Sequence, residues 1–359
     1  MFKNILITFL LLSISIFSFS EESAESQHFA THTKKESFHA DEMIMEHILD
    51  AYEWHITTIG THHISIPLPI ILYSKTSGFH IFMSTKFHHG EKIYKNFKIS
   101  ESQKYKGKIV EIINGEEVRP YDFSITKNVL AILLSMLLML WIFIFVANRY
   151  KISPNAPPKG IQSFIEPIVL FVRDNIAKES IGEKRYEKFT PYLLTIFFFI
   201  WINNMLGLIP IFPGGANVTG NITITMLLAV FTFFITTFSS NKHYWQEIFN
   251  NPTVPWWLKF PIPLMPIVEF VGIFTKPFVL MIRLFANITA GHIVVLGFYS
   301  LIFIFANINI GVGYGISVVS IFFTVFLGLL ELLVAFIQAY VFTLLSALYF
   351  GMAQPEEAH

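Results

Sequence analysis

Between Phe189 and Asn241 the chain runs for 53 residues without an Asp, Glu, Lys or Arg. Soluble domains carry charge on about a quarter of their residues, so such a run has no place on a water-facing surface. The whole chain agrees, with 53% hydrophobic and 14% charged residues over 359 positions. A helix crossing a bilayer needs about 20 apolar residues at ~1.5 Å each. The uncharged run is too long for one crossing, and Pro210, Pro213-Gly214-Gly215 and Asn217 to Asn221 interrupt it. Residues 189–241 therefore predict a two-helix transmembrane hairpin with a short outer loop.

The same test divides the rest of the chain. Asn128 to Asn148 is a 21-residue uncharged run, which predicts a transmembrane helix over 128–148. Residues 149–188 then carry eight Lys/Arg, from Arg149 to Lys188, and basic loops next to spans mark the cytoplasmic side. Within this loop Ile161, Phe164, Ile165, Ile168, Val169 and Val172 follow a 3.6-residue spacing. They predict an amphipathic helix, either along the membrane surface or packed on other helices. Residues 242–262, with Lys242, Glu247 and Lys259, form a second inner loop. Two long apolar runs follow, Pro263 to about Ala306 and about Ile316 to Gly351, whose only charges are Glu269, Lys276, Arg283 and Glu331. At 36 residues the second would extend about 54 Å against ~30 Å of hydrocarbon. Residues 263–351 must therefore form a steeply tilted or kinked hairpin, leaving 352–359 as a cytoplasmic tail. The expected fold is an all-α polytopic membrane protein with five crossing helices and an amphipathic helix, preceded by a β-rich module.

Residues 1–20 hold Lys3, an apolar run from Ile5 to Leu12, and Ser18 and Ser20 ahead of Glu21. They read as a signal peptide, or alternatively as a first anchor, for which the apolar run is short. Residues 21–127 hold ten of the 13 His and form a His-rich extension expected outside the cytoplasm. Its start is polar, running into a short helix around Met43 to Leu49. Trp54–Ile59, His63–Tyr73, Phe79–Ser84 and Lys108–Ile113 are rich in β-branched and aromatic residues and predict strands. Asn114-Gly115 predicts a tight hairpin, since both positions must accept positive φ. His55, His62, His63, His80, His88 and His89 lack a recognisable ligand spacing, so no metal site is expected. The chain has no cysteine, which excludes disulfides and thiol chemistry. Lys plus Arg equals Asp plus Glu at 25 each, which argues against nucleic acid as a partner.

A charge at bilayer depth costs from roughly 2.5 to well over 10 kcal/mol and marks function by default. Arg283 is followed by 47 uncharged residues, so it cannot easily reach an interface. Asn287, one turn on, shares its face together with small Ala286 and Ala290. His292 is nine residues from Arg283, about 180° around the helix. Glu331 and Gln338, seven apart, lie within about 20° of each other and can address one polar track. A membrane His and a membrane Glu in partner helices suit proton handling in a water-filled crevice. A secondary transporter with an Arg/Glu/His relay also uses such groups, but the sequence shows no inverted repeat. A purely structural anchor has no need of them. No Gly-x-x-x-x-Gly-Lys-Ser/Thr sequence is present, so nucleotide hydrolysis lies elsewhere.

Arg283-Leu-Phe-Ala-Asn287-Ile-Thr-Ala-Gly-His292 and Glu331-Leu-Leu-Val-Ala-Phe-Ile-Gln338-Ala-Tyr-Val-Phe resemble subunit a of the F-type ATP synthase. Asn204-Met-Leu-Gly-Leu-Ile-Pro210, Asn221-Ile-Thr223 and Glu269 followed by Thr275-Lys276-Pro277 support the resemblance, which covers roughly residues 128 to 354. It implies a bacterial inner-membrane stator that makes no ATP itself and holds no cofactor. The implied partners are a rotating c-subunit ring, the b-subunit peripheral stalk, other ATP synthase subunits, membrane lipids and protons. By the resemblance Arg283 is the essential stator arginine, and Asn287 and Gln338 are its neighbours at the ring. His292 and Glu331 take the outer half-channel pair, Asn204 lines the same path, and Glu269 lies towards the cytoplasmic exit. Some bacterial relatives exchange the acid and the imidazole of this pair, and the order here is similar to the mitochondrial type. Gly207 stands where some relatives carry an acid, so no proton-carrying role is assigned to it.

Overall fold

A computed structural model of the chain describes Ala40, Ile44, Met45 and residues 48–59, 62–90, 92–152, 157–209, 212–250 and 264–354. The expected signal peptide and residues 355–359 of the tail lie outside the described residues, as does part of the helix expected near Met43.

The extension folds as short antiparallel sheets. Strand β1 (Glu53–Ile59) pairs with β2 (His62–Pro67), and β3 (Pro69–Ser74) pairs with β4 (Gly78–Met83) and β8 (Tyr121–Asp122). β6 (Ile109–Ile113) lies between β5 (Phe97–Ile99) and β7 (Glu116–Val118). The β6–β7 turn has Asn114 at φ 52° and Gly115 at φ 85°, both left-handed, as the dipeptide predicted. The stretch His63–Tyr73, expected as one strand, is two strands in different sheets. Pro67 and Pro69 flank buried Leu68, and a proline has no N–H for a ladder, so pairing stops on one sheet and resumes on another. Tyr52, Ile70, Leu72, Phe87, Phe97 and Ile109 form the core of the module.

Among the described residues, seven labelled helices follow. Helix α1 (Lys127–Ile152) is joined by a loop to α2 (Ile161–Phe171), which continues through a π-helical stretch, Val172–Lys178, and a last turn, Glu179–Ile181. α3 (Tyr186–Leu208) and α4 (Ile222–Phe238) are the expected hairpin, α5 (Lys242–Asn250) is short, and α6 (Leu264–Ile308) and α7 (Ile310–Ala353) are the long pair. Four of these, α1, α3, α6 and α7, are long and apolar enough to cross a membrane, while α4 is apolar but has 17 residues. At ~1.5 Å per residue α4 spans about 25 Å, the lower limit for a crossing.

Of the two settings left open for α2, the structure has it packed on other helices. Val172 and Ile176 of its continuation share one buried cluster with Leu193 and Phe197 of α3, Leu280, Leu284 and Ile288 of α6, and Phe342 and Phe350 of α7. Phe164 stacks on Trp201, with centroids 6.1 Å apart.

Local chemistry fixes the helix ends. The Asn128 N–H at the start of α1 donates to the Asp50 carboxylate at 3.0 Å, an anion where a helix N-terminus favours one. Asn221 caps α4 by accepting from the Thr223 N–H at 3.0 Å. Between α6 and α7 the gap expected near 306–316 shrinks to Asn309 alone, whose side chain accepts from the Gly311 N–H at 2.8 Å. That turn needs glycine at 313, because a Cβ there would sit 2.8 Å from Cα of Ala306.

The two ends of the helical bundle are chemically distinct. At one end Trp54 of β1 clusters with Ala131 of α1 and with Ala216 and Val218 of the α3–α4 loop, so the β module sits against that loop. At the other end the Asn241 N–H donates to Ala353 O at 2.9 Å, and Arg185 donates to Gln354 O at 2.9 Å.

Candidate functional site

The polar residues of α6 divide by face. Leu280, Leu284 and Ile288 are buried one turn apart, which turns Arg283, Ala286, Asn287 and Ala290 outward, and all four are exposed. This is the apolar i, i+4 stripe of a helix packed on one side. Arg283 thus has its guanidinium on an open face floored by small residues. No hydrogen bond or ion pair joins Arg283 to Gln338 among the described residues, and Gln338 is buried on α7.

His292 faces inward, as its half-turn offset from Arg283 requires. Its Nδ1 lies 2.6 Å from Oε1 of Glu331, whose side chain is 6% exposed. The two atoms are this close although no aligned hydrogen bond reaches Oε1. Gly291 makes room for it: a Cβ there would stand 3.0 Å from Glu331 Oε1 and 3.3 Å from Cδ. Across the gap, a Cβ at Gly207 of α3 would stand 3.2 Å from Ala216 O and 3.7 Å from His292 Nε2. Two glycines on two helices therefore open space around one acid and one imidazole.

Asn204, one turn before Gly207, is buried and donates through Nδ2 to Ala335 O at 3.3 Å. Its Oδ1 accepts from the Thr219 hydroxyl. Ala335 lies between Glu331 and Gln338 on the buried side of α7, so Asn204 meets the track that those two residues share. One turn before His292, Thr289 of α6 donates to Gly220 O of the α3–α4 loop at 3.4 Å. The loop on which the β module rests thus packs beside the pair. Sequence reasoning missed Thr219 and the roles of Gly291 and Gly207. The signals were present as a glycine directly before His292 and another three residues after Asn204, but their meaning needs the facing helix.

At the other end of α6, Glu269 is half-buried near Tyr244 of α5. Burial raises the Tyr244 hydroxyl pKa above its usual value, and the neighbouring Glu269 carboxylate adds to the rise. Glu269 lies 14 residues before Arg283, or about 21 Å along the helix, and His292 lies nine residues after it, about 13 Å.

A family model described as ATP synthase A chain matches residues 129–351. The chain belongs to the ATP synthase A chain family. It is 45% identical to ATP synthase subunit a of Chloroherpeton thalassium over 249 residues, covering 68% of this chain and 70% of that one. It is also 46% identical over 243 residues to ATP synthase subunit a 2 of Chlorobaculum tepidum, covering 66% and 65%. Subunit a of Chlorobium phaeobacteroides is 43% identical over 245 residues, covering 67% and 68%. The chain thus spans about two-thirds of the length of these relatives. As a member of the A chain family with long apolar helices, it is a multi-pass membrane protein. A second model, Domain of unknown function (DUF8433), matches residues 43–123. The β module is thus similar to a domain of unknown function, over a stretch that ends before the match to the ATP synthase A chain begins.

Proposed function

We propose that this chain is the proton-translocating stator subunit of the ATP synthase membrane sector, with Arg283 beside a rotating ring of c subunits. The observation that carries the reading is the division of α6: a cation on its exposed face, with an acid–imidazole pair buried on the opposite face about 13 Å further along. The Arg283 and Asn287 face is flat and small-sided, which suits close approach of another helix. His292, Glu331, Asn204 and Gln338 line an outer half-channel beside the α3–α4 loop. A second half-channel leads from Arg283 towards Glu269. The b-subunit peripheral stalk, the other synthase subunits and membrane lipids complete the surroundings of the remaining apolar surface.

The chemistry follows from a permanent cation next to a titrating carboxylate. Arginine stays charged at any working pH, and its field favours the ionised form of a ring carboxyl that comes near. A proton is therefore released to the inner half-channel as the ring reaches Arg283. An ionised carboxylate cannot cross lipid cheaply, whereas a protonated one can, so departure into lipid requires loading from the outer half-channel through Glu331 and His292. Arg283 stands between the two half-channels and blocks direct leakage. Each charge moved is worth about 2.3 kcal/mol per 100 mV, so several must combine for each ATP made elsewhere in the complex. Imidazole carries protons and binds sodium poorly, which favours protons as the coupling ion.

Because the chain has no cysteine, Asn287→Cys is a unique thiol. In the assembled membrane sector it should form a disulfide with a cysteine next to the ring carboxylate of the c subunit. Failure of that cross-link, with a cysteine on the opposite face of α6 reacting instead, would overturn the ring-facing assignment.

A further inference from the structure

The β4–β3–β8 sheet is apolar on both faces. Its inner face, with Ile70 and Leu72, packs on Phe87, Phe97 and Ile109. Its outer face carries Ile71 and Tyr73 of β3, Phe79, Ile81 and Met83 of β4, and Tyr121 of β8, with Phe123 just beyond. Phe79, Ile81 and Phe123 are 61%, 64% and 66% exposed. Cross-strand pairing unites them, because Ile71 faces Ile81, and Tyr73 faces both Phe79 and Tyr121. No Asp or Glu occupies an outward position on these strands. A contiguous apolar face of this kind on an extramembrane module marks a docking surface.

We propose that this face rests in the interfacial region of the lipid bilayer, its apolar side chains at the acyl-chain boundary and Lys75 and Arg119 at anionic headgroups. The sheet is tethered directly to the start of α1. The Phe123 N–H bonds to Ile71 O at 2.9 Å and the Ile125 N–H to Pro69 O at 3.1 Å, and two residues later α1 begins at Lys127. From Pro69 to Tyr73 is about 13 Å at ~3.3 Å per residue, so the whole face lies within reach of the membrane surface. Its composition suits that zone, where tyrosines sit at headgroup level and basic side chains extend to phosphates. Lys75 Nζ stands 5.9 Å from the Tyr121 ring centroid, and Arg119 is exposed two residues before Tyr121. The sheet would here act as a lateral strut, fixing the module to the bilayer as well as to the α3–α4 loop. The proposal rests on α1 crossing the membrane and is independent of the proton path.

The test uses the full chain in nanodiscs of mixed zwitterionic and anionic phospholipid, with spin labels on single cysteines in this cysteine-free background. Ile81→Cys and Phe123→Cys should give an oxygen-to-nickel-chelate collision ratio several-fold above that of Lys104→Cys, an exposed site outside this sheet. Equal ratios at all three sites would overturn the proposal. Suppression of both collision rates at Ile81→Cys would overturn it in favour of a protein cover. In purely zwitterionic nanodiscs the ratio should fall, and an unchanged ratio would overturn the part assigned to Lys75 and Arg119.

Discussion

The carboxylate of Glu331 lies in the space that a side chain at position 291 would fill. A methyl carbon there would meet Oε1 at 3.0 Å, tighter than ordinary contact, so even alanine must displace the acid by a few tenths of an ångström. Gly291→Ala should therefore leave the complex assembled and slow passive proton conduction several-fold. Gly291→Val, with two further carbons, should nearly abolish it. Unchanged conduction in the valine variant would show that the position of Glu331 is not what limits proton entry.

The same contact predicts that His292 and Glu331 behave as one unit. Groups within hydrogen-bonding distance couple, whereas independent sites add. Glu331→Gln should slow proton entry and shift the pH profile, and the double variant with His292→Ala should lose less than the sum of the single losses. Strict additivity in log rate across the three variants would leave His292 a packing residue.

Arg283→Ala should preserve assembly, because the guanidinium lies on an exposed face and no ion pair depends on it among the described residues. Proton-driven ATP synthesis in vesicles should cease. Arg283→Lys should also fail largely, since an ammonium lacks the delocalised fork of guanidinium. Normal synthesis by either variant sinks the assignment.

The β module and Thr289 of α6 both contact the α3–α4 loop, so the proposed outer half-channel and the extension are expected on one side of the membrane. With the basic loops inside, protease added to intact spheroplasts should remove the extension and spare a tag after His359. Loss of the tag alone reverses the orientation.

Within the module, hydrogen bonds from Lys98, Ser100 and Ser102 lower the Glu117 carboxyl pKa to about 2, with Lys98 Nζ at 2.8 Å. A lowered native pKa contributes stability that is present above the ordinary value of 4.5 and is lost as pH falls towards about 2. Protease resistance of the module should therefore decline over that window in the parent chain. Glu117→Gln should flatten the decline, and identical profiles would count against this carboxylate as a source of acid sensitivity.

Much of this architecture could be read before any coordinate. Apolar runs of 20 to 40 residues have one stable solution in a bilayer, because every backbone N–H and C=O must be satisfied within the segment. Arg283 and Glu331 were conspicuous for a related reason, since an unexplained charge at that depth is too costly to be incidental. The half-turn between Arg283 and His292 also followed from counting residues, as helix geometry is local. The end of α6 was less legible: the gap left between about Ala306 and about Ile316 closes to Asn309, and Gly311, Gly313 and Gly315 continue α7, with Gly313 absorbing the close pass of Ala306.

The residues themselves specify a multi-helix membrane protein with its charges on known faces, because helix period and bilayer thickness depend on the chain alone. Which faces meet is a property of the folded whole. That Gly291 cradles Glu331, that Gly207 opens onto His292, and that Asn204 reaches Ala335 across 131 positions depend on how α3, α6 and α7 cross. The strand break at Leu68 and the sheet it separates were likewise decided by pairing between distant segments. Contacts of this kind arise from packing in three dimensions, and no window of neighbouring residues contains them.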